Sequence, residues 1–316
     1  MNNILSKVEV FIKKIPVLEM VISLIIVILI LLVCGCLQFN KKKTIEKFDG
    51  GNKVLTKPSK IYDPFYAKVY ERIFTSDLKN MYELESLNKK YFKNWQPKEE
   101  INILDAGCGT GRHCFVIDKK YKYRVTGLDS SRAMLNKAKI NLKNGDFVHG
   151  NMTNSDLFKA NEFSHIICMF FTLYYFKNPN KVLRNFDKWL KPNGLLCVHL
   201  VDKEKFDPIL ERFSGLIPLF NPQKHSRKRK TKSELTFKKF KYEADWDLSS
   251  PVKYIFNEIF KFKDGRKRKH KHLLYIQPLQ TMVNTIKKNG FEFLSRIDLG
   301  PVNHDYEYVY VFRKKN

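Results

Sequence analysis

A strand-like run followed by alternating glycines constrains this chain more than any other feature. The run Ile103–Ala106 suits a buried strand, and Gly107, Gly109 and Gly111 come directly after it. Glycine adopts positive φ easily and lets the backbone approach a ligand with no Cβ in the way. The helix expected after this turn offers unpaired N–H groups and a favourable dipole. The run therefore predicts a strand–turn–helix unit that binds a polar or anionic ligand.

An acidic residue follows the next strand-like run. Asp129 comes after Arg124–Leu128, close to the roughly 20-residue spacing that places a carboxylate on a ribose in nucleotide-binding βαβ units. Strand-like and helical runs alternate beyond it, which indicates a doubly wound α/β fold. The predicted strands are Asn102–Ala106, Arg124–Leu128, Asp146–His149, His165–Phe171, Leu195–Val201, Phe291–Asp298 and Tyr306–Arg313.

Four segments, in this order, resemble class I S-adenosylmethionine-dependent methyltransferases. D-A-G-C-G-T-G at 105–111 is similar to motif I of that family, and L-D-S-S-x-x-M-L at 128–135 is similar to the segment after it. Gly150–Met152 occupies the family's G-D-M position, and L-K-P-N-G-L-L at 190–196 resembles the turn before the fifth strand. The resemblance covers roughly residues 61–313. Nicotinamide enzymes usually lack the leading acid, so they are the less favoured interpretation.

The resemblance implies a fold, a cofactor and a set of binding residues. The fold is α/β, a doubly wound Rossmann-like seven-stranded sheet with its last strand antiparallel, and the cofactor is S-adenosylmethionine. By resemblance, Asp105 orients the turn and the cofactor's amino group, Asp129 accepts hydrogen bonds from both ribose hydroxyls, and Met134 packs on the adenine. Helix capping by Asp129 and core packing by Met134 are the alternatives. The implied cofactor-binding residues are Tyr62, Tyr66, Asp105, Gly107, Gly109, Gly111, Asp129, Ser130, Met134, Asn151, Met152 and Phe170.

Two of these positions leave a choice open. Tyr62 and Tyr66 belong to a Y-D-x-x-Y element that caps the cofactor pocket in small-molecule methyltransferases, but a packing helix would look the same. Asn151 replaces an acid that usually accepts a hydrogen bond from the adenine amino group, and an amide oxygen can also accept. The three glycines are expected to provide close backbone approach to the cofactor.

The sequence identifies the acceptor site less clearly than the cofactor site. Methyl transfer mainly requires that donor and acceptor are positioned and that water is excluded. The loop Cys168–Phe176 lacks the N/D-P-P-Y motif of amino-methylating nucleic-acid enzymes, and the chain has no Pro-Cys dipeptide for cytosine C5 chemistry. Tyr174, Tyr175 and His199 are the candidate catalytic residues, each with a packing role as the alternative. Trp246 and His272 are weaker candidates. No His, Cys or carboxylate cluster has metal-ligand spacing, so no metal is predicted.

Residues 203–277 form an insertion that the core fold does not require. The strand-like runs Leu235–Tyr242 and Val252–Phe262, with the turn signal Asp264-Gly265, predict an antiparallel β insertion that covers the active site. It also contains two basic runs, 224–232 and 266–272. Basic and aromatic residues alternate beside them, which suits contact with a nucleic acid or an acidic partner.

The N-terminal region predicts a membrane anchor. Residues 20–37 carry no charged side chain, and as a helix they would span about 27 Å, the hydrocarbon thickness of a bilayer. We predict a tail at 1–16, a transmembrane helix at 17–38, a linker at 39–60 and a methyltransferase domain at 61–316. A lipoprotein-like cleavage box at 33–36 and a buried core helix are the alternatives. Basic flanks and a cytosolic cofactor favour a single-pass protein with its catalytic domain in the cytosol.

The charge balance is compatible with three functions. The net charge is +26, with 58 Lys and Arg against 32 Asp and Glu, which raises affinity for phosphates and acidic surfaces, although codon bias also explains it. The favoured function is methyl transfer to a small-molecule or membrane-proximal acceptor. An RNA or protein methyltransferase that docks its substrate on the basic insertion, and a non-enzymatic membrane scaffold, are the alternatives. Four of the six cysteines, at 108, 114, 168 and 197, indicate small core residues in a reducing compartment, whereas Cys34 and Cys36 end the apolar N-terminal stretch, where burial is favoured over lipid attachment.

Overall fold

The structure, a computed structural model, describes residues 54–74, 76–208 and 228–315. The predicted N-terminal tail, transmembrane helix and most of the linker lie outside this part of the chain. Within it, no helix has the length and apolar character needed to cross a membrane.

Twelve strands and seven α-helices occur in the described residues, and they alternate through the middle of the chain. The strands are β1 (Val54–Leu55), β2 (Asn102–Ala106), β3 (Arg124–Asp129), β4 (Asp146–His149), β5 (Phe163–Cys168), β6 (Leu190–Val201), β7 (Lys232–Thr236), β8 (Phe240–Asp247), β9 (Tyr254–Phe262), β10 (Lys267–Leu274), β11 (Phe291–Asp298) and β12 (Glu307–Lys314). The helices are α1 (Pro58–Ile61), α2 (Pro64–Phe74), α3 (Asp77–Lys90), α4 (Arg112–Val116), α5 (Arg132–Asn141), α6 (Asn180–Trp189) and α7 (Leu279–Lys288).

The larger sheet confirms the predicted doubly wound fold. Its seven strands run in the order β11-β12-β6-β5-β2-β3-β4. The pairs among β2, β3, β4, β5 and β6 are parallel, whereas β12 pairs antiparallel with both β6 and β11. Several strand boundaries differ from the prediction. Strand β6 begins at Leu190 rather than at Leu195, and β3 and β12 are displaced by one residue at their ends. Strand β5 begins at Phe163 rather than at His165 and ends at Cys168 rather than at Phe171, because Phe170 has a φ of 52° and breaks the extended backbone.

The smaller sheet confirms an antiparallel insertion but corrects its details. Its five strands run in the order β1-β10-β9-β8-β7. The predicted strand Leu235–Tyr242 was wrong, since residues 237–239 form a turn closed by the Phe237 N–H and the Phe240 carbonyl at 2.9 Å. Strand β1 pairs in parallel with β10, so Val54 and Leu55 of the predicted linker belong to this sheet.

Three of the seven residues of the second basic run are buried. Strand alternation turns Arg268, His270 and His272 into the core, where each is at most 3% exposed, and leaves Lys267, Lys269 and Lys271 on the outer face. The inner face of the sheet packs on α2 through ring contacts such as Phe65 with Phe260 at 5.2 Å. Only the outer face of this strand is therefore left for the basic docking surface that was expected.

Candidate active site

One cavity of about 410 Å³ connects the two sheets. At one end, the cofactor lobe, it is lined by the glycine turn, Asp129 and Met134. A second part of the cavity, the acceptor lobe, is lined by residues from the segment just before α2, from the loop after β5 and from the insertion, and they include Tyr62, Tyr175, Trp246, Phe256 and His272. A volume of this size is typical of small-molecule sites, and the lobes lie where open α/β sheets bind their ligands.

The three glycines of the turn have different surroundings. A Cβ on Gly107 would lie 2.4 Å from the Thr172 side chain, and one on Gly111 would lie 2.9 Å from the Ala138 Cβ. Gly109 has a φ of 55° and no atom within 4 Å of an added Cβ. Gly107 and Gly111 therefore allow the protein to pack on itself. Only Gly109 has the open space expected for close approach to a cofactor.

Asp129 closes the turn as well as lining the cavity. Its Oδ2 accepts the Gly109 N–H at 2.9 Å, and its Oδ1 accepts the Ser131 N–H at 2.8 Å. The N-cap of α5 is Ser131, whose hydroxyl accepts the Met134 N–H, so Asp129 is not the capping residue. Burial raises the pKa of Asp129, and the two backbone N–H groups oppose that rise. Each carboxylate oxygen keeps a lone pair for a ribose hydroxyl.

The other predicted cofactor residues of this lobe also reach the cavity. Met134 and Met152 are buried in its wall, and Ser130 lines it. The Oδ1 atom of Asn151 already accepts hydrogen bonds from the N–H and the hydroxyl of Thr153, both at 3.0 Å. Asp105 is buried at the end of β2, and burial raises its pKa to about 6. Its Oδ2 accepts a weak hydrogen bond from the Cys114 thiol at 3.4 Å.

A buried ionic cluster in the cavity wall was not anticipated from sequence. The Lys79 ammonium lies 3.3 Å from Glu307 and 4.9 Å from the centre of the Phe170 ring, and His113 Nε2 lies 3.1 Å from Glu83. Burial alone would raise the pKa of Glu83, but Lys79 and His113 lower it to about 2. The i, i+4 spacing of Lys79 and Glu83 on α3 was the only local signal, and it is usual on exposed helices.

The structure separates the three candidate catalytic residues. Tyr175 lines the cavity, whereas Tyr174 is buried elsewhere and its hydroxyl accepts the Val201 N–H at 2.9 Å. His199 is buried outside the lining, with Nδ1 2.8 Å from the Phe170 carbonyl and Nε2 3.0 Å from Glu307. Since both ring nitrogens of His199 are engaged, neither is left for a substrate. The structure thus brings only Tyr175 of the three to the acceptor lobe.

A chain of hydrogen bonds runs from the acceptor lobe into the insertion. The hydroxyls of Tyr62 and Tyr175 lie 2.8 Å apart, and the Tyr175 hydroxyl lies 2.6 Å from His272 Nδ1. His272 Nε2 lies 2.6 Å from Glu258 Oε2, and Glu258 is fully buried. Tyr66 also lines the cavity, and its hydroxyl donates to Glu258 at 2.8 Å. Of these residues, Glu258 was missed by sequence reasoning.

Glu258, His270 and His272 also have donor atoms within 4.8 Å of one another, close enough to hold a metal ion. The Arg268 Nε–H donates to His270 Nε2 at 2.6 Å, so the ring proton must lie on Nδ1, where it donates to Glu258 at 2.9 Å. A metal ion bound at that nitrogen would have to displace this proton. In the structure the three residues form a hydrogen-bonded group. The local signal was the H-x-H spacing on a strand, which places both rings on one face.

Comparison with known proteins assigns the cofactor lobe. Residues 103–194 match the protein family described as "Methyltransferase domain". The chain is 30% identical over 146 residues to phosphoethanolamine N-methyltransferase of Plasmodium falciparum, which covers 44% of this chain and 54% of that protein. It is 29% identical over 129 residues to (S)-tetrahydroprotoberberine N-methyltransferase of Eschscholzia californica, covering 39% and 36%. The structure of SAM-bound CalS10, an amino pentose methyltransferase from Micromonospora echinaspora, matches with a TM-score of 0.54 and 16% identity over 79% of this chain and 96% of that one.

The chain carries an S-adenosylmethionine-dependent methyltransferase domain. It spans about half the length of the Plasmodium relative and about a third of the Eschscholzia one. The residues of the methyltransferase domain fit S-adenosylmethionine, because the space at Gly109 is open and a buried carboxylate lies beside it. Gly109, Asp129, Met134 and Met152 would hold the cofactor. When bound, it supplies a methyl group from its sulfonium.

Proposed function

We propose that this methyltransferase domain transfers a methyl group to the nitrogen of a small amine. The observation that carries the proposal is the composition of the acceptor lobe. Its walls are aromatic, with Phe171 5.4 Å from Trp246 and Trp246 4.9 Å from Phe256 between ring centres. Aromatic faces attract cationic amines, and the tyrosine hydroxyls add polar contacts. The two curated relatives above are named as N-methyltransferases, which supports the same acceptor class.

The basic insertion does not favour a nucleic acid as the substrate. Arg268, His270 and His272 are buried in the core, which removes three of the seven residues of the second basic run from any docking surface. The Arg268 guanidinium is engaged by Asp63 at 2.7 Å and by the Ile61 carbonyl at 3.2 Å. An enclosed aromatic lobe therefore remains the feature of the described residues that best defines the acceptor.

The proposal is tested by methyl transfer to a panel of acceptors. The full chain is incubated with S-adenosylmethionine and with phosphoethanolamine, an amino pentose or a tetrahydroprotoberberine, each beside an analogue with hydroxyl in place of the amine where one exists. Mass spectrometry should show a methylated nitrogen and an equal amount of S-adenosylhomocysteine. Transfer to RNA or to the hydroxyl analogues, with none to the amines, would refute the amine acceptor.

We also infer that residues 20–37 hold the domain at a membrane, with the methyltransferase domain on the cytosolic side. The uncharged segment and its basic flanks support this proposal. The full chain should remain in the membrane pellet after alkaline carbonate extraction. Protease added to the cytosolic face should digest the domain. Extraction into the supernatant would contradict the anchor, and protection of the domain would contradict its orientation.

A further inference from the structure

Glu258 is the centre of a buried cluster of hydrogen-bonded side chains. Its carboxylate accepts hydrogen bonds from Tyr66, Tyr242, His270 and His272, at distances of 2.6 to 2.9 Å. An ionised carboxylate has only acceptors, so all four neighbours must present hydrogen to it. Burial would raise the pKa of Glu258, but His272 and His270 outweigh this and hold that pKa well below its usual range. Glu258 is therefore a buried negative charge beside His272.

The polarity of the hydrogen bonds around His272 follows from that charge. Since His272 Nε2 must donate to Glu258, neutral His272 has a bare Nδ1 that accepts the Tyr175 O–H at 2.6 Å. The Tyr175 oxygen in turn accepts the Tyr62 O–H at 2.8 Å. The Tyr62 oxygen then has lone pairs to accept hydrogen from a molecule in the cavity. Both tyrosine hydroxyls therefore donate in the direction of His272 and away from the acceptor lobe.

His270, which lies on the same face of β10 as His272, has a different role. Its Nδ1–H is fixed towards Glu258 because Arg268 occupies its Nε2, and burial lowers the pKa of His270 despite the carboxylate. His270 thus stays neutral as a hydrogen-bond donor. Of the two histidines on this face of β10, His272 alone has a nitrogen connected to the cavity and lines it.

We infer that Tyr62, Tyr175, His272 and Glu258 form a proton relay that removes a proton from the acceptor ammonium. This rests on the proposed function, since an ammonium must lose one proton before its nitrogen can attack a methyl group. The acceptor N–H proton passes to the Tyr62 oxygen, the Tyr62 proton passes to Tyr175, and the Tyr175 proton passes to His272 Nδ1. The nitrogen–carbon bond forms as the carbon–sulfur bond of the cofactor breaks, and its electron pair stays on sulfur.

The residues of the relay have distinct tasks. Burial raises the pKa of Tyr62 and of Tyr175, so both keep their protons at neutral pH and pass a proton on rather than store it. His272 takes the proton on Nδ1, while its Nε2–H donates to the buried Glu258 carboxylate. His272 later releases the proton to solvent. Glu258 is a positioning residue, because it acts on the acceptor only through His272.

The titratable groups that face His272 come from three elements. Tyr175 faces it from the loop after β5, Glu258 from β9 and Tyr242, through Glu258, from β8. Ring contacts at about 6 Å join it to Tyr62, Tyr66 and His270. The charged groups beyond them are Arg268 and its partner Asp63. A loss of His272 should therefore be visible in a pH–rate profile.

The first arm of the test compares variants of the full chain with an amine that it methylates. His272→Gln keeps a donor towards Glu258 but cannot take a proton, so kcat at pH 7 should fall about 100-fold with little change in KM. The deficit should shrink as the pH approaches the pKa of the amine, because the acceptor then enters already deprotonated. Tyr174→Phe is the matched control for Tyr175→Phe, since both tyrosines are buried but only Tyr175 joins the relay.

The second arm of the test determines which ring nitrogen of His272 carries the proton, and it needs no turnover. In ¹⁵N-histidine-labelled full chain at neutral pH, the His272 signals, assigned by their loss in His272→Gln, should show a bare Nδ1 and a protonated Nε2. Tyr175→Phe should shift the Nδ1 signal. If amines are methylated but His272→Gln keeps wild-type kcat at all pH values, or if Nδ1 is the protonated nitrogen, the relay is overturned.

The two arms of the test distinguish a failure of the relay from a failure of the proposed function. If no amine is methylated while S-adenosylhomocysteine still binds, the amine acceptor is refuted, and the histidine signals alone then decide the relay. If EDTA abolishes turnover and Zn²⁺ restores it, the cluster is a metal site and the relay is overturned. Equal loss of kcat in Tyr174→Phe and Tyr175→Phe would also overturn it.

Discussion

The two lobes of the cavity are built in opposite ways. In the cofactor lobe, the polar contacts come from backbone N–H groups and two acids at the ends of neighbouring parallel strands, as with Gly109 and Asp129 at 2.9 Å. In the acceptor lobe they come from side chains distant in sequence, since 97 positions separate Tyr175 and His272. The first lobe is specified by one turn and its chemistry. The second depends on the register of an inserted sheet, which places Glu258 opposite His270.

This difference shows where a methyltransferase can change its substrate. A turn that presents backbone to a cofactor tolerates few substitutions, because Cβ atoms fill the space that the ligand needs. A face of an antiparallel sheet presents every second side chain, so the acceptor lobe can be rebuilt by substitutions that leave the strands in place. We expect the two lobes to respond independently to mutation.

The largest effect should come from filling the open space of the cofactor lobe. Gly109→Arg places a long side chain in the cavity, so the Kd for S-adenosylhomocysteine should rise more than about 100-fold, or about 2.8 kcal/mol. Gly265→Arg is the matched control, because Gly265 also has a positive φ and no atom within 4 Å of an added Cβ, but lies in the β9–β10 turn. Calorimetric titration of both variants with S-adenosylhomocysteine measures the two Kd values. An equal loss of affinity in both variants would contradict the assignment of Gly109 to the cofactor lobe.

A smaller effect, confined to stability and the acceptor lobe, should follow from Glu258→Gln. Glutamine turns an amide N–H₂ towards donors that now meet a carboxylate, so the free energy of unfolding should fall by about 1–3 kcal/mol. The Kd for S-adenosylhomocysteine should stay within about threefold of wild type. Glu234→Gln, at an exposed pair with Lys241, serves as the control and should change stability by less than about 0.5 kcal/mol. Loss of cofactor affinity in Glu258→Gln would show that the lobes are coupled.

The last prediction concerns a buried histidine of the larger sheet, and its effect should appear only as a dependence of stability on pH. His165 in β5 lies between the rings of Phe92 and Trp95, 4.8 and 5.0 Å away, and burial lowers its pKa to about 3. Below pH 6.5 the unfolded chain therefore binds a proton that the folded one does not, so the stability contributed at higher pH is lost as pH falls towards 3. His165→Phe removes this loss, and its advantage in unfolding free energy should grow by about 2 kcal/mol between pH 8 and pH 5.

The comparison with wild type is essential to that measurement, because Asp105 acts in the opposite direction. Its pKa is raised to about 6 in the folded chain, so it adds stability as pH falls from 6 towards 4. Denaturant unfolding of both proteins across this range isolates His165. A constant difference between them would mean that His165 titrates normally in the folded state.

Much of the larger sheet could be predicted from sequence. Strands β2, β4 and β11 have the predicted bounds, because alternation, glycine turns and strand-ending acids are local signals. The end of β5 could not be predicted, since the positive φ of Phe170 arises in a loop held by its neighbours. The turn at 237–239 was missed for a similar reason, because it contains none of the usual turn residues.

The sequence by itself therefore determined the doubly wound fold, the glycine turn and the positions of Asp105 and Asp129, since these depend on contacts within about 25 residues along the chain. Only the tertiary structure decided that Tyr175 rather than Tyr174 faces the cavity, and that His272 in a basic run is buried against Glu258. These outcomes depend on which face of a strand or turn meets another element. Strand register and packing set that face, and neither is encoded by the local pattern of residues.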